Sequence, residues 1–128
     1  MSFIDLGIDP NEVDKLVPEG SYELVVSDLK ESKTDDGKLK GLLVIHEIQG
    51  HPEAANVLHN ISFPLPGDDD EKKLNKIRFM KRYLQLFNIP CAGGRLDPMD
   101  FIGKRAECFL VIEDYEGMES NKIKFGKR

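Results

Sequence analysis

The sequence predicts a mainly β domain: a five-stranded Greek-key barrel with one α-helix between strands three and four and a short N-terminal helical turn. Two patterns and the chain length carry this prediction. Segments rich in β-branched and aromatic residues stand on both sides of a single long helical pattern, three before it and two after. Asp-Gly and Glu-Gly pairs punctuate the segments where tight antiparallel turns are needed. The 128 residues suit one domain, and 40% hydrophobic with 32% charged residues is the composition of an ordinary folded chain.

Residues 1–17 form an N-terminal extension. Asp9-Pro10-Asn11-Glu12 combines a capping residue, a helix-starting proline and an acid three positions on, which predicts a helical turn over residues 10–16. Pro18 ends it. Ser21 to Leu29 is the first strand, Thr34-Asp35-Asp36-Gly37 a hairpin turn, and Leu39 to Ile48 the second strand. The second strand is apolar on both faces, so something is expected to cover its outer side, and barrel closure is the expected reason. Gly50-His51-Pro52 breaks it, and Asn56 to Leu65 is the third strand, so strands one to three occupy residues 21–65.

Residues 68–88 read as the helix. Asp68 is the expected cap, with Glu71 completing a capping box. Leu74, Ile77, Met80, Leu84 and Phe87 make one apolar stripe, and Asn88 and Pro90 close the element. A second helical turn starts at Asp97-Pro98 and stops at Gly103. Lys104 to Tyr115 is strand four, with Ala106, Cys108, Leu110 and Ile112 on one side, and Asn121 to Phe125 is strand five. Three strands, a helix and two strands is the element order of an OB-fold, here one domain over residues 1–128.

The formal charge of −5 hides an asymmetry: residues 1–70 carry 5 basic and 15 acidic side chains, residues 71–128 carry 13 and 8. An acidic chain can still bind nucleic acid if its bases fold onto one face. No apolar run approaches the roughly 20 residues of a membrane span. Met1-Ser2-Phe3-Ile4-Asp5 has no basic or apolar signal region, which gives the expectation of a cytoplasmic protein away from membranes. Cys91 and Cys108 both have apolar neighbours and are expected to be reduced core thiols.

Several stretches resemble small phage-encoded single-stranded DNA-binding proteins of the replication and recombination type. They are Val17-Pro18-Glu19-Gly20-Ser21-Tyr22-Glu23, Lys33-Thr34-Asp35-Asp36-Gly37, Ile77-Arg78-Phe79 with Leu84 and Phe87, Phe101-Ile102-Gly103-Lys104, and Glu113-Asp114-Tyr115-Glu116-Gly117 with Asn121-Lys122-Ile123-Lys124. The resemblance covers residues 17–125. It implies an OB-fold, single-stranded DNA as partner with little sequence preference, action in phage DNA replication or recombination beside other proteins of that machinery, and the host cytoplasm as location. Many such proteins end in an acidic tail, whereas this chain ends Phe125-Gly126-Lys127-Arg128.

Single-strand binding needs a positive groove for the backbone and aromatic faces for the bases, with no catalytic group, metal or cofactor. The basic candidates are Lys33, Lys38 and Lys40 at the first hairpin, Lys104 and Arg105 at the start of strand four, and Lys122 and Lys124 on strand five. Period two turns Lys122 and Lys124 outward if Ile123 and Phe125 point inward. It also places Arg105, Phe109 and Tyr115 on one strand face, with Glu107 and Glu113 among them. His59 and Phe63 share a face of strand three and form a second candidate platform, while Tyr22 shares the parity of core residues. The plain alternative for each aromatic is core packing, and for each lysine a solvated surface.

The helix carries Lys72, Lys73, Lys76, Arg78, Lys81 and Arg82, which suit a solvated outer face or a contact with duplex DNA or a partner. Enzyme readings are weak. His46, His51 and His59 lack zinc-site spacing, and the acids at 35–36 and 68–70 have local turn and helix-dipole reasons to be there. A metal-dependent nuclease is the remote reading. The main rival to DNA binding is an OB-fold protein-interaction module of a replication or recombination complex, docking through a strand edge or the basic helix. The two differ in whether Lys38, Lys40, Arg105, Lys122 and Lys124 converge on one face beside an aromatic.

Overall fold

The computed structural model describes residues 3–7 and 9–125. The basic end at 126–128 lies outside the described residues. Strands β1 (Gly20–Lys33), β2 (Leu39–Ile48) and β3 (Val57–Ser62) precede helix α1 (Asp70–Leu86); β4 (Arg105–Tyr115) and β5 (Met118–Lys124) follow it. They form one antiparallel sheet in the order β3-β2-β1-β4-β5. The ladder is not closed: β3 and β5, its two edges, approach within 8 Å between Cα atoms without hydrogen-bonding as a pair. The expected barrel is therefore a curled open sheet along that seam.

β1 is longer than its apolar pattern suggests, because β2 pairs with it out to Lys33↔Leu39. The turn between them is held by the Thr34 amide donating to the Lys38 carbonyl (2.8 Å) and by Gly37 at φ 89°. A bulge between Val26 and Asp28 shifts the register. It lets Leu24, Val26 and Leu29 all face the core although their spacing breaks period two. On β2, Leu42, Val44, His46 and Ile48 are buried.

The outer side of β2 corrects the sequence expectation. Leu43 and Ile45 are only half-buried there, and Leu58, paired with Ile45, is exposed. Closure of a barrel would bury the opposite face. At Gly41 a side chain is impossible without movement, since a Cβ would run into the Ile61 carbonyl oxygen of β3.

The N-terminal turn is shorter than expected, a single 3-10 turn at Pro10–Glu12 in which Asp9 accepts from the Asn11 amide rather than forming a capping box. The extension is pinned further on. Asn121 of β5 is buried, accepts from the Val17 amide (2.9 Å) and donates to the Val17 carbonyl (3.0 Å).

The helix begins one residue later than predicted, with Asp69 as cap accepting from the Lys72 amide. Asp68 instead receives the Leu65 amide (3.0 Å) and the Lys76 ammonium (2.7 Å). The hydrogen bonds from Lys76 and Leu65 hold its carboxyl at about 2. Only the C-terminal half of α1 reaches the core. Leu74 and Ile77 of the predicted stripe are exposed, Met80 is half-buried, and Leu84 and Phe87 are buried.

The main anchor of α1 is Tyr83, which is fully buried and lies off the predicted stripe. Its ring stacks on His59 (4.9 Å), Phe87 (4.7 Å) and Phe101 (6.1 Å). Aromatic stacking on this scale adds about 0.5–1.5 kcal/mol per pair beyond area burial.

Candidate nucleic-acid interface

The outward face of β4 and β5 follows from parity. Leu110 and Ile123 pair and both point into the core, so Phe109 and Lys124, also paired, point out together. Phe109 is 45% exposed. Lys122 follows on the same face, opposite Val111, and Ser21 of β1 flanks Phe109 on the other side. This gives one aromatic face with a lysine directly across the ladder and a second two residues along.

Acids border the patch. Glu107 stands opposite Glu23, and Arg105 at the start of β4 is drawn to Glu23 (3.8 Å) rather than toward Phe109. Glu113 lies beyond Lys122, opposite Ser120. Tyr115, 75% exposed, sits at the far hairpin opposite Met118, which is equally exposed. Lys104 is half-buried just before β4, where its carbonyl accepts from the Val26 amide.

The hairpin lysines do not join this patch. β4 pairs with β1 only over Gly20–Val25, so Lys33 is eight residues, roughly 25 Å of strand, beyond the last shared rung. Lys38 instead lines a hollow with Leu65, Pro66 and Gly67, in the segment that leads into α1. Lys33 pairs with Glu31 (3.8 Å), and Lys40 is exposed. Of the five cations whose convergence would favour DNA binding, only Lys122 and Lys124 stand beside an aromatic.

His59 and Phe63 do share a face of strand three, but it is the core side, with Val57 and Ile61 buried between and beside them. His59 is held between Tyr83 and Phe125, with ring centroids at 4.9 and 5.2 Å. Burial, and then the charges of His46 and Lys122, lower its pKa to about 4, so the ring is neutral at pH 7. Phe63 packs against the core. Neither is an open stacking platform. His59 does border the seam between β3 and β5, a crevice of about 430 Å³ that Asn60, Ser62, Lys76, Phe79 and Lys122 also line. Sequence periodicity places Asn60 and Ser62 outward but gives no sign that the two sheet edges meet there.

The other histidine of the core, His46, is a satisfied structural residue. Its Nδ1 donates to the Val57 carbonyl (2.8 Å), so its Nε2 accepts from the Tyr83 hydroxyl (2.7 Å). Burial lowers the His46 pKa and raises that of Tyr83. Cys108 is buried as expected, and burial pushes its thiol up to about 12. Cys91 is not: it is exposed, on the loop after α1. No described helix is long and apolar enough to cross a membrane. No protein-family model matches the chain, and no curated protein is similar enough to be called a relative.

Proposed function

We propose that this chain is a non-catalytic single-stranded DNA-binding protein of OB-fold type, acting with little sequence preference in phage-type replication or recombination. The observation that carries the reading is the pairing of a half-exposed Phe109 with Lys124 across the β4–β5 ladder, with Lys122 next along the same face. A base stacks on the Phe109 ring while the two ammonium groups neutralise its flanking phosphates. Stacking is indifferent to base identity, because every base offers a π-face. Asn60 and Ser62 across the seam supply further hydrogen-bonding groups for the backbone. The meeting of β3 and β5 edges supports the OB assignment, since those strands close such a barrel.

Fluorescence anisotropy with labelled single-stranded and duplex oligonucleotides at two salt concentrations tests this. Single strands should bind more tightly and weaken with salt. The change Lys122→Ala/Lys124→Ala should flatten the log–log salt slope by up to about 1.4, roughly 0.7 for each phosphate no longer neutralised. Phe109→Ala should cost about 1–3 kcal/mol for one stacked base. Absence of binding at low salt, or an unchanged slope in the double variant, refutes the site. A protein-interaction module is the second reading; the scatter of the remaining cations favours it, as does an apolar groove that Ile77, Met80 and Leu84 of α1 line with Leu39, Phe63 and Leu96.

A further inference from the structure

The crevice between β3 and β5 runs from the outward face of the sheet to helix α1. Asn60 and Ser62 are exposed and alternate with the core-facing His59 and Ile61, so they reach it from outside, as does Lys122. Phe79 and Met80 line it from the helix. Lys122 is two residues from Lys124 on the face that carries Phe109, about 7 Å along the strand. Through Lys122, the candidate DNA face of β4–β5 is therefore continuous with a second aromatic on another element. That aromatic, Phe79, lies off the apolar stripe of α1. It is 65% exposed, even with the Arg82 guanidinium over its ring at 5.3 Å from the centroid.

The charges around the crevice are unequally committed. Lys76 is held by Asp68 (2.7 Å). Among the described residues, neither Lys122 nor Arg82 has a carboxylate within 4.0 Å. Asn60 and Ser62 add an amide and a hydroxyl. Glu113, beyond Lys122 on β4, is the one acid among the described lining residues. We infer that the crevice seats a nucleotide of the bound single strand, its base stacked on Phe79 and its phosphate on Lys122, so that α1 takes part in binding. An aromatic face for the base and an uncommitted cation for the backbone are the two parts such a site requires. Arg82 supports the Phe79 ring by a cation–π contact and adds positive field beside it. Glu113 opposes the phosphate, so its removal should tighten binding. The inference rests on the single-strand reading above and adds a second stacking site to it.

Anisotropy with a labelled oligothymidylate of about 16 nucleotides, as long as the largest OB-fold sites, tests it. Phe79→Ala should raise the Kd at least about fivefold, the loss of one stacked base, and Phe79→Trp should keep binding at the wild-type level or better. Glu113→Gln should tighten binding at low salt. An oligonucleotide carrying iodouracil should photocrosslink to Phe79 as well as to Phe109, read by mass spectrometry of the tryptic peptides. The crosslink is made on the wild-type chain, so it decides the matter even if a substitution at Phe79 alters stability. An unchanged Kd in Phe79→Ala, while Phe109→Ala weakens binding, overturns the inference and spares the reading beneath it. Crosslinks confined to Phe109 do the same, and are the result expected if the crevice serves a protein partner instead. Weaker binding by Glu113→Gln also overturns it. No binding by wild type at low salt overturns the inference and the reading together.

Discussion

Replacing His59 by Phe isolates one proton-linked contribution to stability. His59 keeps a neutral ring in the fold: burial, His46 and Lys122 lower its pKa from the ordinary 6.5 to about 4. The unfolded chain takes up that proton as the pH falls through about 6.5, whereas the folded chain refuses it until about 4. Stability from this group is therefore complete above 6.5 and is lost as the pH drops toward 4. Between pH 7.5 and 4.5 the loss comes to about 2.5 kcal/mol, taking one pKa unit as about 1.36 kcal/mol. His46, whose pKa burial also lowers, acts in the same direction. His59→Phe keeps a flat ring against Tyr83 and Phe125 but cannot titrate.

The assay is urea unfolding followed by far-UV circular dichroism, at pH 7.5 and 4.5, for wild type and His59→Phe. Carboxylates that titrate in this window are common to both proteins and cancel in the comparison. Wild type should lose about 2.5 kcal/mol more than the variant on acidification. Equal losses, within about 0.5 kcal/mol, would show that His59 is not held neutral by its surroundings.

Other substitutions test the framework around it. Tyr83→Phe keeps the aromatic stack but strips His46 Nε2 of its buried partner, and should cost about 1–3 kcal/mol in the same unfolding assay. Asn121→Ala removes both hydrogen bonds to Val17 and should cost about 2 kcal/mol. It should also speed proteolytic cleavage within residues 1–17, read by limited proteolysis and mass spectrometry. Gly41→Ala sets a methyl against the Ile61 carbonyl of the neighbouring strand. Because backbone cannot yield as a side chain does, a loss of at least about 3 kcal/mol is expected, read as the midpoint of thermal unfolding. A Gly41→Ala protein with wild-type stability would mean that β2 and β3 are less closely apposed than described.

The element order was legible because each strand carries its own period-two pattern and each turn its own chemistry. The places where reading fell short share a physical cause. The apolar stripe on α1 names Leu74 and Ile77, since a helical wheel cannot tell which end of a helix has a sheet beneath it; only the C-terminal half does. Tyr83 was missed because a tyrosine beside that stripe looks like a surface residue until His46 is there to receive its hydroxyl. The cap moved from Asp68 to Asp69 because neighbouring aspartates can each cap locally. What separates them is Lys76, which reaches back to Asp68. The bulge at Ser27 and the seam between β3 and β5 depend on pairing between strands, which leaves no local mark.

The same distinction explains the candidate interface. Parity grouped Phe109 with Arg105 and Tyr115, and Lys122 with Lys124, because period two fixes which residues share a face; the burial of Leu110 and Ile123 turns those faces outward. Parity also put His59 and Phe63 together, but one strand's period cannot say which face is core, and the buried Val57 and Ile61 decide it. Convergence of the hairpin lysines with Lys122 required the curl of the sheet, and β1 instead carries the hairpin past the end of β4, where Lys33 pairs with Glu31 and Lys38 lines a hollow with Leu65, Pro66 and Gly67. The two surfaces differ in what they present: Phe109 beside Lys122 and Lys124 on β4–β5, and a mostly apolar lining with Lys81 beside α1. On the proposed reading, Ile77→Asp in the groove lining should leave single-strand binding through Phe109, Lys122 and Lys124 intact.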